Sequence, residues 1–194
     1  MKTLKITSLF LIALISFTSC SDDEGTPQLI NEEEVITTVT VTLVPETGTT
    51  VTLTSRDLDG DGPNAPVLNV SGSLQAGMKY EGTVVLENET ETPAEVINEE
   101  IIEEADEHQF FYQVSGGLNA TVTYADNEND YLDNGSSNPV GLEFTLQAGT
   151  ASTGSFTVTL RHEPNKDASG VSTGDLTNAG GETDIAQTFS LTIQ

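Results

Sequence analysis

Between Val35 and Val44 the chain alternates, as Val35-Ile36-Thr37-Thr38-Val39-Thr40-Val41-Thr42-Leu43-Val44, and after Pro45 to Gly48 the pattern resumes as Thr50-Val51-Thr52-Leu53-Thr54. β-Branched side chains at period two fit a half-buried pleated surface and fit a helix poorly, because they crowd the preceding helical turn. The spacing predicts two strands of a hairpin. Further short alternating runs at 67–70, 79–87, 108–114, 119–124, 141–147, 155–161 and 185–193 are separated by Gly, Pro, Asn and Asp clusters. Many short strands with such punctuation predict a mostly β fold, an antiparallel, immunoglobulin-like β-sandwich occupying 34–194 as a single domain. Its expected core is Val39, Val41, Leu43, Leu53, Val84, Leu86, Phe111, Val122, Phe144, Leu146, Phe156, Val158, Phe189 and Leu191. With no Trp and one Cys, an antibody-type domain built around a paired disulfide is excluded.

One segment departs from the β rhythm. Thr92-Pro93-Ala94-Glu95 has the form of a capping box with proline at the first helical position. It predicts one short helix over about 93–105, with Val96, Ile97 and Ile101 toward the sheet and Glu99, Glu100, Glu103 and Glu104 outward. Acid near the C-terminal end opposes the helix dipole and invites a cation, but a simply solvated face is the plainer explanation.

The start of the chain has a different character. Lys2 and Lys5 precede an uncharged apolar run from Ile6 to Phe17, followed by Phe17-Thr18-Ser19-Cys20. That is the order of a secretory signal, and the run is too short to span a bilayer as a helix. The ending resembles a bacterial lipobox, which implies lipidation at Cys20, a signal peptide over 1–19 and anchoring to a membrane through lipid. Cys20 is the only cysteine, so no intrachain disulfide competes for its thiol. The other reading is ordinary secretion with a free thiol left over. Ser21-Asp22-Asp23-Glu24 behind it resembles the surface-export signal of Bacteroidetes-type lipoproteins, implying an outer-membrane protein facing outward. By composition alone, 20–33 is an acidic flexible tether.

Charge narrows the partners. The chain carries 6 Lys and Arg against 31 Asp and Glu, a formal net charge of −25, which becomes −27 if 1–19 is removed with Lys2 and Lys5. No basic patch exists to release counterions from phosphates, so nucleic-acid binding is set aside. Cationic partners and divalent metals are favoured instead.

Three clusters carry candidate chemistry. Asp57-Leu58-Asp59-Gly60-Asp61-Gly62 opens like a calcium loop, placing Asp57, Asp59 and Asp61 at alternate positions for Ca²⁺. Position twelve is Leu68, so an EF-hand lacks its bidentate acid, and an ordinary Asp-Gly turn explains the segment as well. Asp126-Asn127-Glu128-Asn129-Asp130 lacks a suitably placed glycine and is expected to be a flexible polar connection. The two histidines form the third: His108 lies four residues after Glu104, and His162 precedes Glu163 at the end of an expected strand. Helix and strand ends gather at one pole of a sandwich, so Glu104, His108, His162 and Glu163 make a candidate zinc site, the competing explanation being surface histidines paired with neighbouring acids. No G-x-S-x-G elbow, phosphate loop or H-E-x-x-H occurs, and acid pairs in so acidic a chain have no discriminating value. A non-enzyme is expected.

The segments Asn31-Glu32-Glu33-Glu34-Val35-Ile36-Thr37-Thr38-Val39, Asp57-Leu58-Asp59-Gly60-Asp61-Gly62-Pro63, Asn88-Glu89-Thr90-Glu91-Thr92-Pro93-Ala94, Glu104-Ala105-Asp106-Glu107-His108-Gln109-Phe110-Phe111 and Arg161-His162-Glu163-Pro164-Asn165-Lys166 resemble a family of small flavobacterial lipoproteins, often labelled as a type 1 periplasmic binding fold superfamily. The resemblance implies a lipoprotein of the envelope and no particular activity. A type 1 periplasmic binding fold needs two α/β lobes with alternating strands and helices, whereas here one helix interrupts many strands, so the residue pattern sets the fold expectation. Two functions remain open. One is a non-catalytic surface lipoprotein binding a divalent metal or a protein such as an outer-membrane transporter; the other is a structural or adhesive module whose calcium loop rigidifies the sandwich.

Overall fold

The computed structural model describes residues 34–60 and 62–194. The expected signal peptide, Cys20, the tether and Asp61 lie outside them.

The two alternating segments form β1 (Thr38–Pro45) and β2 (Val51–Arg56), an antiparallel hairpin in which Val41 faces Leu53. Val39, Val41, Leu43, Val51 and Leu53 are buried while the intervening Thr residues are more open, the alternation that period two demands. β3 (Val67–Val70) flanks β2, and β4 (Lys79–Asn88) flanks β1 on the other side. A two-residue strand β5 (Glu95–Val96) pairs with the end of β4. After α1 (Asn98–Glu103) come β6 (His108–Ser115) and β7 (Ala120–Tyr124), then α2 (Asn129–Leu132), β8 (Glu143–Ala148), β9 (Ser152–His162) and β10 (Glu182–Ile193).

The described residues make two antiparallel sheets, one in the order β3-β2-β1-β4-β8-β7 with β5 beside β4, the other in the order β10-β9-β6. Inward residues of both, including Val41, Leu53, Phe144, Phe156, Leu160 and Phe189, belong to one buried cluster, so the two sheets share a core as in a β-sandwich. The expected core residues lie in it, with Val122 half-buried at its margin. Phe111 is the exception. It points to the opposite face of β6, where Val171 and Ala179 from the long β9–β10 connection cover it in a small second core.

The helix is shorter than the capping box implied. It runs Asn98–Glu103, not 93–105, because Glu95 and Val96 are taken into β5 against Asn88 and Glu87, and the Glu95 carboxylate accepts from Asn88 Nδ2 at 3.4 Å. Val96 therefore faces solvent, whereas Ile97 and Ile101 are buried as expected. Asn98 fixes the start of α1: its Oδ1 accepts from Leu86 N at 2.7 Å and its Nδ2 donates to Val84 O at 2.8 Å, so its amide replaces a neighbouring strand for β4.

The acidic stretch expected to be a flexible connection is ordered. It forms α2, and buried Asp126 accepts from Gly141 N, Glu143 N and the Tyr131 hydroxyl at 2.7–3.0 Å. A carboxylate that satisfies two backbone donors and a phenol is a brace for the entry to β8.

Candidate metal centre

In β6 the inter-sheet side is occupied by Phe110, Tyr112 and Val114, and in β9 by Phe156, Val158 and Leu160. Period two then places His108, first residue of β6, and His162, last of β9, on that same side at one end of the core. They are direct register partners. Their rings stack with centroids 4.7 Å apart and planes 6° from parallel. On the other flank His162 pairs with Glu182 of β10. Gly181 (φ +66) allows the chain to close there, since a Cβ at that position would overlap the His162 carbonyl oxygen.

His108 is fully buried, yet both of its nitrogens have partners. Nδ1 lies 3.2 Å from the backbone carbonyl oxygen of Glu104, which can only accept, so Nδ1 carries the proton. Nε2 faces Glu34 Oε1 at 3.1 Å. Burial disfavours the His108 imidazolium, but the Glu34 hydrogen bond, its charge and the Glu104 carbonyl together raise the pKa above the ordinary histidine value. The bond from His108 holds the Glu34 carboxyl below its usual range. Glu34 has a side chain only 6 % exposed, and its Oε2 is buried without a hydrogen-bond partner.

Asp184 completes this group. The register of β10 against β9 slips between Thr183 and Ile185, leaving Asp184 as the extra residue of a β-bulge. Bulges re-aim side chains, and here Asp184 and Ile185 line the same cavity. Asp184 Oδ2 is likewise buried and unpartnered. Burial and the charge of Glu34 push the Asp184 carboxyl up to about 6.

Glu34, His108 and Asp184 offer ligand atoms within 4.8 Å of one another, and so do Glu104, His108 and His162. Of the four residues expected to form a zinc site, three are thus gathered. Their proximity has a different origin from the expected helical face. α1 has ended by Glu104, and the turn closed by Glu107 N donating to Glu104 O at 2.8 Å brings Glu104 Oε2 to 4.0 Å from His108 Nδ1. Glu163 joins a separate group with Glu107 and His162, in which His162 Nε2 lies 3.7 Å from Glu107 Oε2.

The two groups sharing His108 are not chemically equivalent. Using Nδ1 as a ligand would forfeit the bond to the Glu104 carbonyl. Using Nε2 keeps it, and metal-binding histidines commonly donate their other ring N–H to a backbone carbonyl in this way. Ligand atoms sharing a tetrahedral Zn²⁺ lie about 3.3 Å apart, close to the Nε2 to Glu34 Oε1 separation of 3.1 Å. Glu34 and Asp184, the ligands this geometry favours, were missed from sequence. Glu34 looked like part of an acidic run, and the reach of Asp184 depends on the bulge.

The candidate calcium loop holds together as a turn. Gly62 N donates to Asp59 O at 2.9 Å, Asp59 N donates to Asp57 Oδ1 at 3.3 Å, and Asn64 Nδ2 donates to Asp59 Oδ2 at 2.7 Å. The Asn64 bond holds the Asp59 carboxyl below its usual range. Among the described residues, neither Asp57 nor Asp59 belongs to a group with metal-ligand spacing.

Compared with protein families, with curated proteins and with solved structures, the chain matches none, so function is argued from this geometry.

Proposed function

We propose that the chain is a lipid-anchored protein of the outer membrane that captures a divalent transition-metal ion, with zinc the best match, and catalyses no reaction on it. The observation that carries this reading is the buried His108 imidazole, oriented through Nδ1 by a backbone carbonyl and presenting Nε2 to Glu34, with Asp184 within ligand spacing of both and each carboxylate retaining a buried, unpartnered oxygen. One imidazole with two carboxylates is a mixed N/O donor set of the kind that holds Zn²⁺ and leaves a position open for exchange. His162 acts as a positioning residue, its ring stacked on that of His108.

The anchoring half of the proposal rests on Cys20 and the lipobox-like residues before it. A Cys20→Ser chain should leave the membrane fraction, and continued membrane retention without acylation refutes anchoring through that residue. For the metal half, isothermal titration with Zn²⁺ decides. His108→Ala should abolish binding, Glu34→Gln should weaken it, and His162→Ala should cost about 10-fold to 100-fold, the range for residues that orient a ligand. Equal affinity in all four proteins refutes the site.

A further inference from the structure

A cavity of about 480 Å³ opens beside the metal centre, between the start of β1 and the β2–β3 turn on one side and β10 on the other. That volume is within the range of about 300–1,000 Å³ typical of small-molecule sites. Its lining includes the acids Glu34, Asp57, Asp59 and Asp184, and no Lys, Arg or His among the described residues that line it. The acids alone would be an ordinary feature of so acidic a chain. What points to a ligand is the second oxygen of Glu34: the side chain is more than nine-tenths buried and its Oε1 is paired with His108, but Oε2 has no partner, and a buried carboxylate oxygen without a donor costs free energy that a bound cation restores. The same walls carry Ile36 and Ile185. A hydrated metal ion would leave these facing water, whereas a methylene chain covers them.

We propose that this cavity binds an aliphatic polyamine, with its ammonium groups on the carboxylates and its methylenes against the apolar wall. The polyamine shares Glu34 and Asp184 with the metal and differs in using Asp57 in place of His108, so Zn²⁺ and polyamine exclude each other.

The test is calorimetric titration of the full chain with spermidine in the presence of a metal chelator. Saturable one-site binding is expected, with Asp184→Asn and Asp57→Asn each weakening it by about tenfold or more, the loss of a charge-assisted contact. Glu103→Gln, which removes a charge from the exposed face of α1, should leave it within about twofold, as a distant surface charge is screened. Gln187→Lys, placing an ammonium in the cavity from β10, should abolish spermidine binding while the melting temperature is kept or raised. Unsaturable uptake, equal losses in Asp184→Asn and Glu103→Gln, or equal binding of neutral 1,8-octanediol each overturn the proposal. Zinc titration of the same samples separates the two readings, because loss of the zinc site with spermidine binding retained leaves the cavity assignment intact, and the reverse result removes it alone.

Discussion

Two clusters of charge lie behind the turn that follows α1, and they are finished to different degrees. In the first, Lys166 Nζ donates to the Ala105 carbonyl at 2.5 Å and sits 3.0 Å from Glu128 Oε1, with both side chains almost fully buried. In the second, His108 is anchored to the neighbouring Glu104 carbonyl, but the carboxylates around it, Glu34 and Asp184, keep buried oxygens with no donor. Each cluster braces the same turn, the first from the β9–β10 connection and the second from the start of β6. The first is complete from the chain's own groups and has nothing left to offer a ligand. The second sets one imidazole against two carboxylates, leaves an oxygen of each without a donor, and adjoins a cavity. Burial of charge is common to both, so what marks a binding site is the donor deficit rather than the burial.

The largest test breaks the complete cluster. Lys166→Ala leaves Glu128 and the Ala105 carbonyl in the interior without their partner, and removing one member of a buried pair costs about 3–5 kcal/mol. A matching fall in the denaturant midpoint is expected, with zinc affinity at His108 unchanged. A loss below about 1 kcal/mol would mean that water replaces the ammonium and that the pair is no more than a surface bridge.

The incomplete cluster predicts the converse, stability that depends on ligand. Zn²⁺ at a hundredfold excess over its Kd should stabilise the chain by about 2.7 kcal/mol, a rise of roughly 5–10 °C in Tm for a domain of this size. His108→Ala should show no rise, and chelator should return the wild type to its metal-free Tm. Because Zn²⁺ must displace the proton on His108 Nε2, whose pKa is raised, the gain should fade as pH drops through the histidine range. A Tm rise that persists unchanged in His108→Ala places the metal elsewhere.

How much of this contrast is legible in the sequence depends on how local each contact is. The Val/Thr alternation of β1 and β2 has one geometric solution, and the strands keep its parity, although β1 starts at Thr38 and leaves Val35 to Thr37 outside the strand. The meeting of His108 and His162 is readable only as a gathering of element ends at one pole, because an inward Phe111 would turn His108 outward and it is Phe110, Tyr112 and Val114 that take the core side of β6. The Thr92-Pro93-Ala94-Glu95 signal misleads because a capping box is a local preference of small energy, and pairing of Glu95 and Val96 with β4 overrides it. Asp126 and Glu128 mislead for a related reason. A run of acids predicts a solvated loop until Tyr131, Gly141, Glu143 and Lys166 supply donors, and three of those four lie ten or more residues away in sequence. Glu34 and Asp184 have no sequence signature, because a bulge in β10 and the approach of the segment before β1 are set by tertiary packing.

Asp184 allows a smaller and more specific test. Its carboxyl is shifted up to about 6 in the folded chain, against about 3.9 unfolded, so ionisation is harder in the native state. A raised acid pKa means that stability is lost as pH rises from about 4 to 6, not gained. Asp184→Asn removes that penalty. The variant should match the wild type below pH 4 and exceed it above pH 6 by on the order of 1–2 kcal/mol, after allowance for the partial exposure of the side chain. It should also lose zinc affinity, an exchange of function for stability. A variant less stable than wild type at pH 7 would show that Asp184 has a donor that stabilises its charged form.

The smallest effect belongs to the Asp57 to Gly62 turn, the acidic segment that most resembles a metal site in sequence. A calcium loop needs several oxygens held free and convergent, whereas here one Asp59 oxygen is engaged by Asn64 and one Asp57 oxygen by the Asp59 amide. Those bonds form within an exposed turn, where their loss is largely replaced by water. Asp59→Ala should therefore lower Tm by less than about 2 °C, the scale of surface substitutions in a chain of this length. Ca²⁺ should leave the wild-type melting curve where chelator leaves it. A calcium-dependent rise abolished by Asp59→Ala would reverse the contrast, making this turn the metal site and requiring Asp57 and Asp59 to abandon their internal partners for the ion.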